Sequence, residues 1–96
     1  MSQYTFKVIV CAPYDQAKVL MMLVKGFHNQ PKKPASINQL IGKGPSGIEI
    51  IFKIDAESEF SASEELTRIT TETIVPVLDD PATRGADIES MQLISG

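Results

Sequence analysis

Gly42, Gly44 and Gly47 fall at the spacing G-x-G-x-x-G, with Lys43 and Ser46 between them. This is the vocabulary of a phosphate-cradling loop, in which glycines let backbone amides approach the anion and a following helix presents its N-terminus to it. Gly42 and Gly47 also have the separation of the G-x-x-x-x-G-K-[ST] loop, but Ile48 and Glu49 stand where lysine and a hydroxyl residue are needed. The next stretch, GIEIIFKID (47–55), alternates like a strand. With no helix to follow, the glycines read as a hairpin connection in which Pro45 presets φ for a turn.

The other candidates for chemistry are thin. Asp55, Glu57, Glu59, Ser61 and Ser63 space oxygen ligands at alternate positions, as a calcium loop does. Phe60 stands where that loop needs glycine, and Leu66 where it needs the closing glutamate. The stretch reads as a solvated acidic linker that favours the N-terminus of the next helix. Cys11 is the sole cysteine and His28 the sole histidine. A helix N-terminus beside Cys11 would activate its thiolate, but His28 lies at the far end of that helix and the two do not form a pair. Lys25, His28, Lys32 and Lys33, with Lys43, make a modest basic cluster that would suit an anion or an acidic partner. Its plainer role is to solvate a helix end and complement the dipole. No metal set, cofactor motif or nucleophile–base pair emerges. For an enzyme or small-ligand binder with a pocket at a sheet–helix or dimer seam, the polar groups to test are Cys11, Lys7 and Glu49.

The balance of the chain fits this picture. Twelve acidic against nine basic residues give a net charge of −3, which argues against nucleic acid as a partner. An apolar fraction of 43% and a charged fraction of 22% are those of an ordinary globular domain. Ninety-six residues make one domain, 1–96. The longest apolar run, VLMMLV (19–24), is far too short for a bilayer, and MSQYTFKVIV is not a signal sequence. A cytoplasmic protein with no membrane partner is expected.

The elements follow from periodicity. YTFKVIVC (4–11) alternates, with Tyr4, Phe6, Val8 and Val10 on the core side. Residues 12–31 read as a helix, with Pro13 in its first position and Asp15 in its first turn. Ala17, Leu20, Met21, Val24 and Phe27 or His28 form its stripe; Val19, Met22 and Leu23 widen the apolar arc, so its outer face is either covered or meets a partner. ASINQLI (35–41) is a weak edge strand. GIEIIFKID puts Ile48, Ile50, Phe52 and Ile54 on the core side. Residues 60–80 read as a second helix, with a Ser61–Glu64 capping box and Leu66, Ile69, Thr73 and Val77 inward. Its β-branched second half and Pro76 predict an end or kink near Val75, with a strand over 73–78 as the competing reading. ADIESMQLIS (86–95) closes the chain as a strand with Ile88 and Ile94 on one face and Met91 and Leu93 on the other. Either a bulge shifts its register or both faces are partly covered.

Strand, helix, strand, strand, helix, strand is the order of an α+β, ferredoxin-like βαββαβ sandwich. Two helices would lie on one face of a four-stranded antiparallel sheet, with the terminal strands adjacent. RNA-recognition domains of this topology stack bases on aromatics of the first and third strands, on the face away from the helices. Here that face presents Thr5, Lys7, Ile9, Cys11, Glu49, Ile51, Lys53 and Asp55, and no aromatic. An apolar centre at Ile9 and Ile51, rimmed by Lys7, Glu49 and Lys53 and extended by Leu40 and by Met91 or Leu93, has the look of a protein interface. The expected function is a non-catalytic protein-interaction or regulatory module that self-associates through this face or through the first helix.

Overall fold

Four strands and two main helices build the chain in the computed structural model, which describes residues 1–40 and 47–96. β1 (Ser2–Cys11) and β3 (Gly47–Ala56) are the two long strands. They pair antiparallel along their whole length, from Ser2 opposite Ala56 to Cys11 opposite Gly47. β2 (Ser36–Leu40) flanks β3 and β4 (Asp87–Ser95) flanks β1, both antiparallel, giving the order β2-β3-β1-β4. The fold is therefore α+β, with the first and last strands adjacent. Among the described residues no helix is long and apolar enough to cross a membrane.

The period-2 pattern of the long strands decides the core. Phe6, Val8 and Val10 of β1 and Ile48, Ile50, Phe52 and Ile54 of β3 are all buried, as expected. α1 (Gln16–His28) and α2 (Glu59–Ile69) cover that side with Val19, Leu23 and Phe27 and with Ala62, Leu66 and Ile69. Phe27 meets Phe52 edge to face, 5.7 Å between ring centres. Such a pair contributes about 0.5–1.5 kcal/mol beyond the area it buries.

α1 is turned relative to the expected stripe. Val19, Leu23 and Phe27 point inward, whereas Met21 is 62% and Val24 47% exposed. Nor does the helix begin at Pro13. Asp15 is its N-cap, accepting from the Lys18 N–H at 3.0 Å. Gln16 then donates through Nε2 to the carbonyls of Leu40 and Gly47, fastening the helix start to the facing ends of β2 and β3. The cap of α2 also differs: Ser58, not Ser61, accepts from the Ser61 N–H at 3.1 Å.

Residues 73–78 are helical, not a strand. α2 passes into a π-helical turn, Thr70–Ile74, and then a short α3, Val75–Leu78. The Val75 N–H bonds to the Thr70 carbonyl, five residues back. That wider turn directly precedes Pro76, whose missing N–H and ring could not continue an ordinary α-helical ladder. The β-branched residues survive in a helix because Ile69, Thr70, Thr73 and Ile74 are buried and packing outweighs propensity.

β4 resolves the ambiguity of its alternation through two register shifts against β1, at Glu89 and at Ile94. The first lets Ile88 and Met91, three residues apart, share one face: they lie opposite Val10 and Val8, and Leu93 lies opposite Phe6. All three therefore belong to the helix side, so Met91 and Leu93 do not extend the open face, and Ile94 does not pair with Ile88.

Candidate functional site

Cross-strand partners share a face, so the register maps the open side of the sheet row by row. Ser36, Ile51, Lys7 and Gln92 form one row, and Asn38, Glu49, Ile9 and Ser90 the next. Leu40, Gly47, Cys11 and Asp87 lie beyond them. On the other side come Lys53 with Thr5, then Asp55 with Gln3. Ile9 and Ile51 are diagonal rather than direct neighbours: Ile9 faces Glu49 and Ile51 faces Lys7. Both isoleucines are half-buried by their neighbours, as are Lys7 and Glu49, while Lys53 is exposed. The five residues singled out from the sequence are thus contiguous on one surface. Leu40 joins them: a side chain at Gly47 would meet Leu40 Cδ1 at 3.3 Å and Ile9 Cγ2 at 3.9 Å. Among the described residues this face carries no aromatic ring; Phe6 and Phe52 are buried on the helix side.

The basic cluster does not stay together. His28 and Lys33 line one groove, with Val24, Phe27, Pro34 and Ile37. Lys32 lies elsewhere, beside Gln30, Arg68 and Glu72. Lys25 is exposed in the last turn of α1, and Lys33 Nζ donates to the Gln30 carbonyl at 2.9 Å. Arg68 is bound to Glu65 and, at 3.3 Å, to Glu72. The Glu65 hydrogen bond and charge, followed by Glu72, hold its guanidinium above its usual pKa, so it stays charged throughout the working range of a protein.

Cys11 sits on the open face, opposite the side that α1 covers, and α1 begins only at Gln16. The helix dipole is therefore not aimed at the thiol. The acidic stretch is dispersed: Asp55 lies on β3, Ser58 caps α2 and Glu59 occupies its first turn. The glycine loop falls on residues 41–46, outside the described residues; Gly47 already belongs to β3, paired with Leu40, so a strand and not a helix follows it.

A cavity of about 200 Å³ lies between the start of α1 and the turn that precedes β4, lined by Ala12, Tyr14, Asp15, Val19, Thr83 and Arg84 among others. Arg84 lies 5.4 Å from the Tyr14 ring centre. Two of the polar groups of this cavity are already engaged. The Asp15 carboxylate caps α1, and the Thr83 hydroxyl is within hydrogen-bonding distance of the Val77 and Asp80 carbonyls, at 2.6 and 2.9 Å. Lys7 and Glu49 are on the other face and do not reach it. Sequence reasoning did not single out Tyr14, Thr83 or Arg84, nor the groove residues Val24, Pro34 and Ile37.

No protein family, curated protein or solved structure matches this chain.

Proposed function

We propose that this chain is a non-catalytic protein-interaction or regulatory module that self-associates through the open face of its sheet. The observation that carries this reading is the self-complementary pattern on β3. Glu49 and Lys53 stand two residues to either side of Ile51 on that face. A two-fold axis in the plane between two such sheets, running along the Ile51–Lys7 row, sets each Glu49 over the partner copy's Lys53. Ile51 then meets its own copy at the centre, the isologous contact of a symmetric dimer, and the same axis sets Lys7 over the partner copy's Lys7, a like-charge contact that weakens the association. The four strands have 10, 5, 10 and 9 residues; at about 3.4 Å per residue and about 4.8 Å between strands they offer roughly 550 Å² in projection. A standard interface buries about 800 Å² per partner, so the dimer expected is a modest one that depends on concentration.

The strand order supports the ferredoxin-like assignment. Read from the other edge it is β4-β1-β3-β2, with β1 and β3 central and a helix joining each of the outer pairs of the βαββαβ sequence. The test is the solution mass by light scattering across a concentration series, for the native chain and for Ile51→Asp. A native dimer that the substitution dissociates supports the reading. A native chain that stays monomeric at every concentration removes it.

A further inference from the structure

Residues 16–48 hold five of the chain's nine Lys and Arg residues and none of its twelve Asp and Glu residues. A segment of charge +5 therefore sits in a chain of net charge −3. Its described residues comprise α1, β2 and the start of β3, and between the C-terminal half of α1 and β2 lies a groove of about 210 Å³ that takes Lys33 from this set of lysines. Phe27, held against Phe52, gives this groove a rigid apolar wall. Val24, Pro34 and Ile37 complete the apolar lining, and His28 and Lys33 stand on the rim. Ile37 lies opposite Ile50, so it rises on the helix side, into the groove. β2 is also an edge strand: among the described residues nothing pairs with its outer side.

We infer that this groove and edge form a binding site for an extended, acidic peptide segment of a partner protein, which adds to the sheet as a strand beside β2. Strand addition draws affinity from main-chain hydrogen bonds and specificity from pockets for alternate side chains. An apolar side chain at the middle of the peptide enters the groove between Val24, Phe27 and Ile37. Carboxylates two residues to either side share its face, because side chains alternate along a strand. They fall toward His28 and Lys33. Among the described residues no acidic group lines the groove to repel them. The site lies on the helix side, so it is independent of self-association through the open face.

The experiment uses the whole chain and a fluorescein-labelled peptide with leucine at its centre, threonine next to it and glutamate two residues to either side. Two further probes are the same peptide with lysine for glutamate, and the same peptide N-methylated at alternate residues to remove its strand hydrogen bonds. Anisotropy should show binding of the glutamate peptide, weakened by salt, and about tenfold or more weaker for each of the two controls. Val24→Glu sets a carboxylate in the groove at an already exposed position and should weaken binding by about tenfold or more. Met21→Glu, on the exposed side of α1 but outside the groove, should leave it unchanged. Amide shifts on binding should concentrate at Ser36–Leu40 and Val24–His28. Absence of binding to the folded chain would overturn the inference. So would equal binding of the N-methylated peptide, or shifts centred on Ile9 and Ile51.

Discussion

Glu49→Lys is the substitution that most directly questions the open face. In the two-fold arrangement it replaces two attractive contacts with the partner copy's Lys53 by two like-charge contacts. An exposed ion pair contributes roughly 0.2–1 kcal/mol, and a like-charge pair opposes by a similar amount. Two contacts, each turned from attraction to repulsion, therefore cost the dimer about 1–4 kcal/mol, roughly a 5- to 1000-fold rise in its dissociation constant. Lys53→Glu should act alike, since the pairing is symmetric. The informative variant carries both reversals. It recreates two attractive contacts in the opposite sense and should return the dissociation constant to near the native value. Lys7 serves as an internal control. It lies opposite Ile51, with Glu49 and Lys53 on its two diagonals, so the double variant again leaves Lys7 one carboxylate and one ammonium neighbour. Folding of the monomer should therefore recover along with association.

The assay is sedimentation equilibrium at low and at high salt for the native chain, the two single variants and the double variant. The predicted spread should be large at low salt and shrink as salt screens the rim charges. If both single variants dimerise as the native chain does, or if the double variant is as weak as the singles, Glu49 does not face Lys53 and the proposed axis is wrong.

Four further outcomes bear on the frame that carries these surfaces. Gly26→Ala should raise stability to urea by up to about 1 kcal/mol, because alanine is the better helix former and its Cβ would sit at an ordinary 3.5 Å from Thr73 Cγ2 and Val77 Cγ2. Gly26→Leu should instead overpack that contact and cost about 1–3 kcal/mol in the same assay. Gly85 has φ +84°, and a Cβ there would overlap the Tyr14 ring; Gly85→Ala should cost about 1–3 kcal/mol, read as a fall in melting temperature. Asp15→Ala removes the cap of α1 and should cost about 1 kcal/mol, with Asp15→Asn recovering most of it.

The parts of the fold legible in the sequence are those where burial imposes contrast. β1 and β3 alternate so strictly that one face could only be core, and the opposite face followed from it. The orientation of α1 was not legible because Val19 to Val24 is apolar without interruption, and a 3.6-residue period has no contrast there. Long-range ties accompany the orientation it takes: Gln16 holds the carbonyls of Leu40 and Gly47, and Gly26 admits the helix closely against Thr73 and Val77. The second helix was legible from its pattern, with strand over 73–78 left as the competing reading by its β-branched residues; the helix prevails because Thr70, Thr73 and Ile74 are buried in it and a π-turn accommodates Pro76.

The surfaces divide in the same way. The open face was readable because its residues belong to two paired strands, in which alternation alone specifies the side chains that share a face. The basic cluster was not, because closeness in sequence around a helix end does not fix closeness in space. The turn after α1 sends Lys32 toward Arg68 and Glu72 and Lys33 toward Ile37. The more durable signal was the absence of acidic residues from Gln16 to Ile48, which survives any rotation of α1. A charge bias that spans a helix and the edge strand it packs on describes a surface, whereas four adjacent cations describe only a stretch of chain.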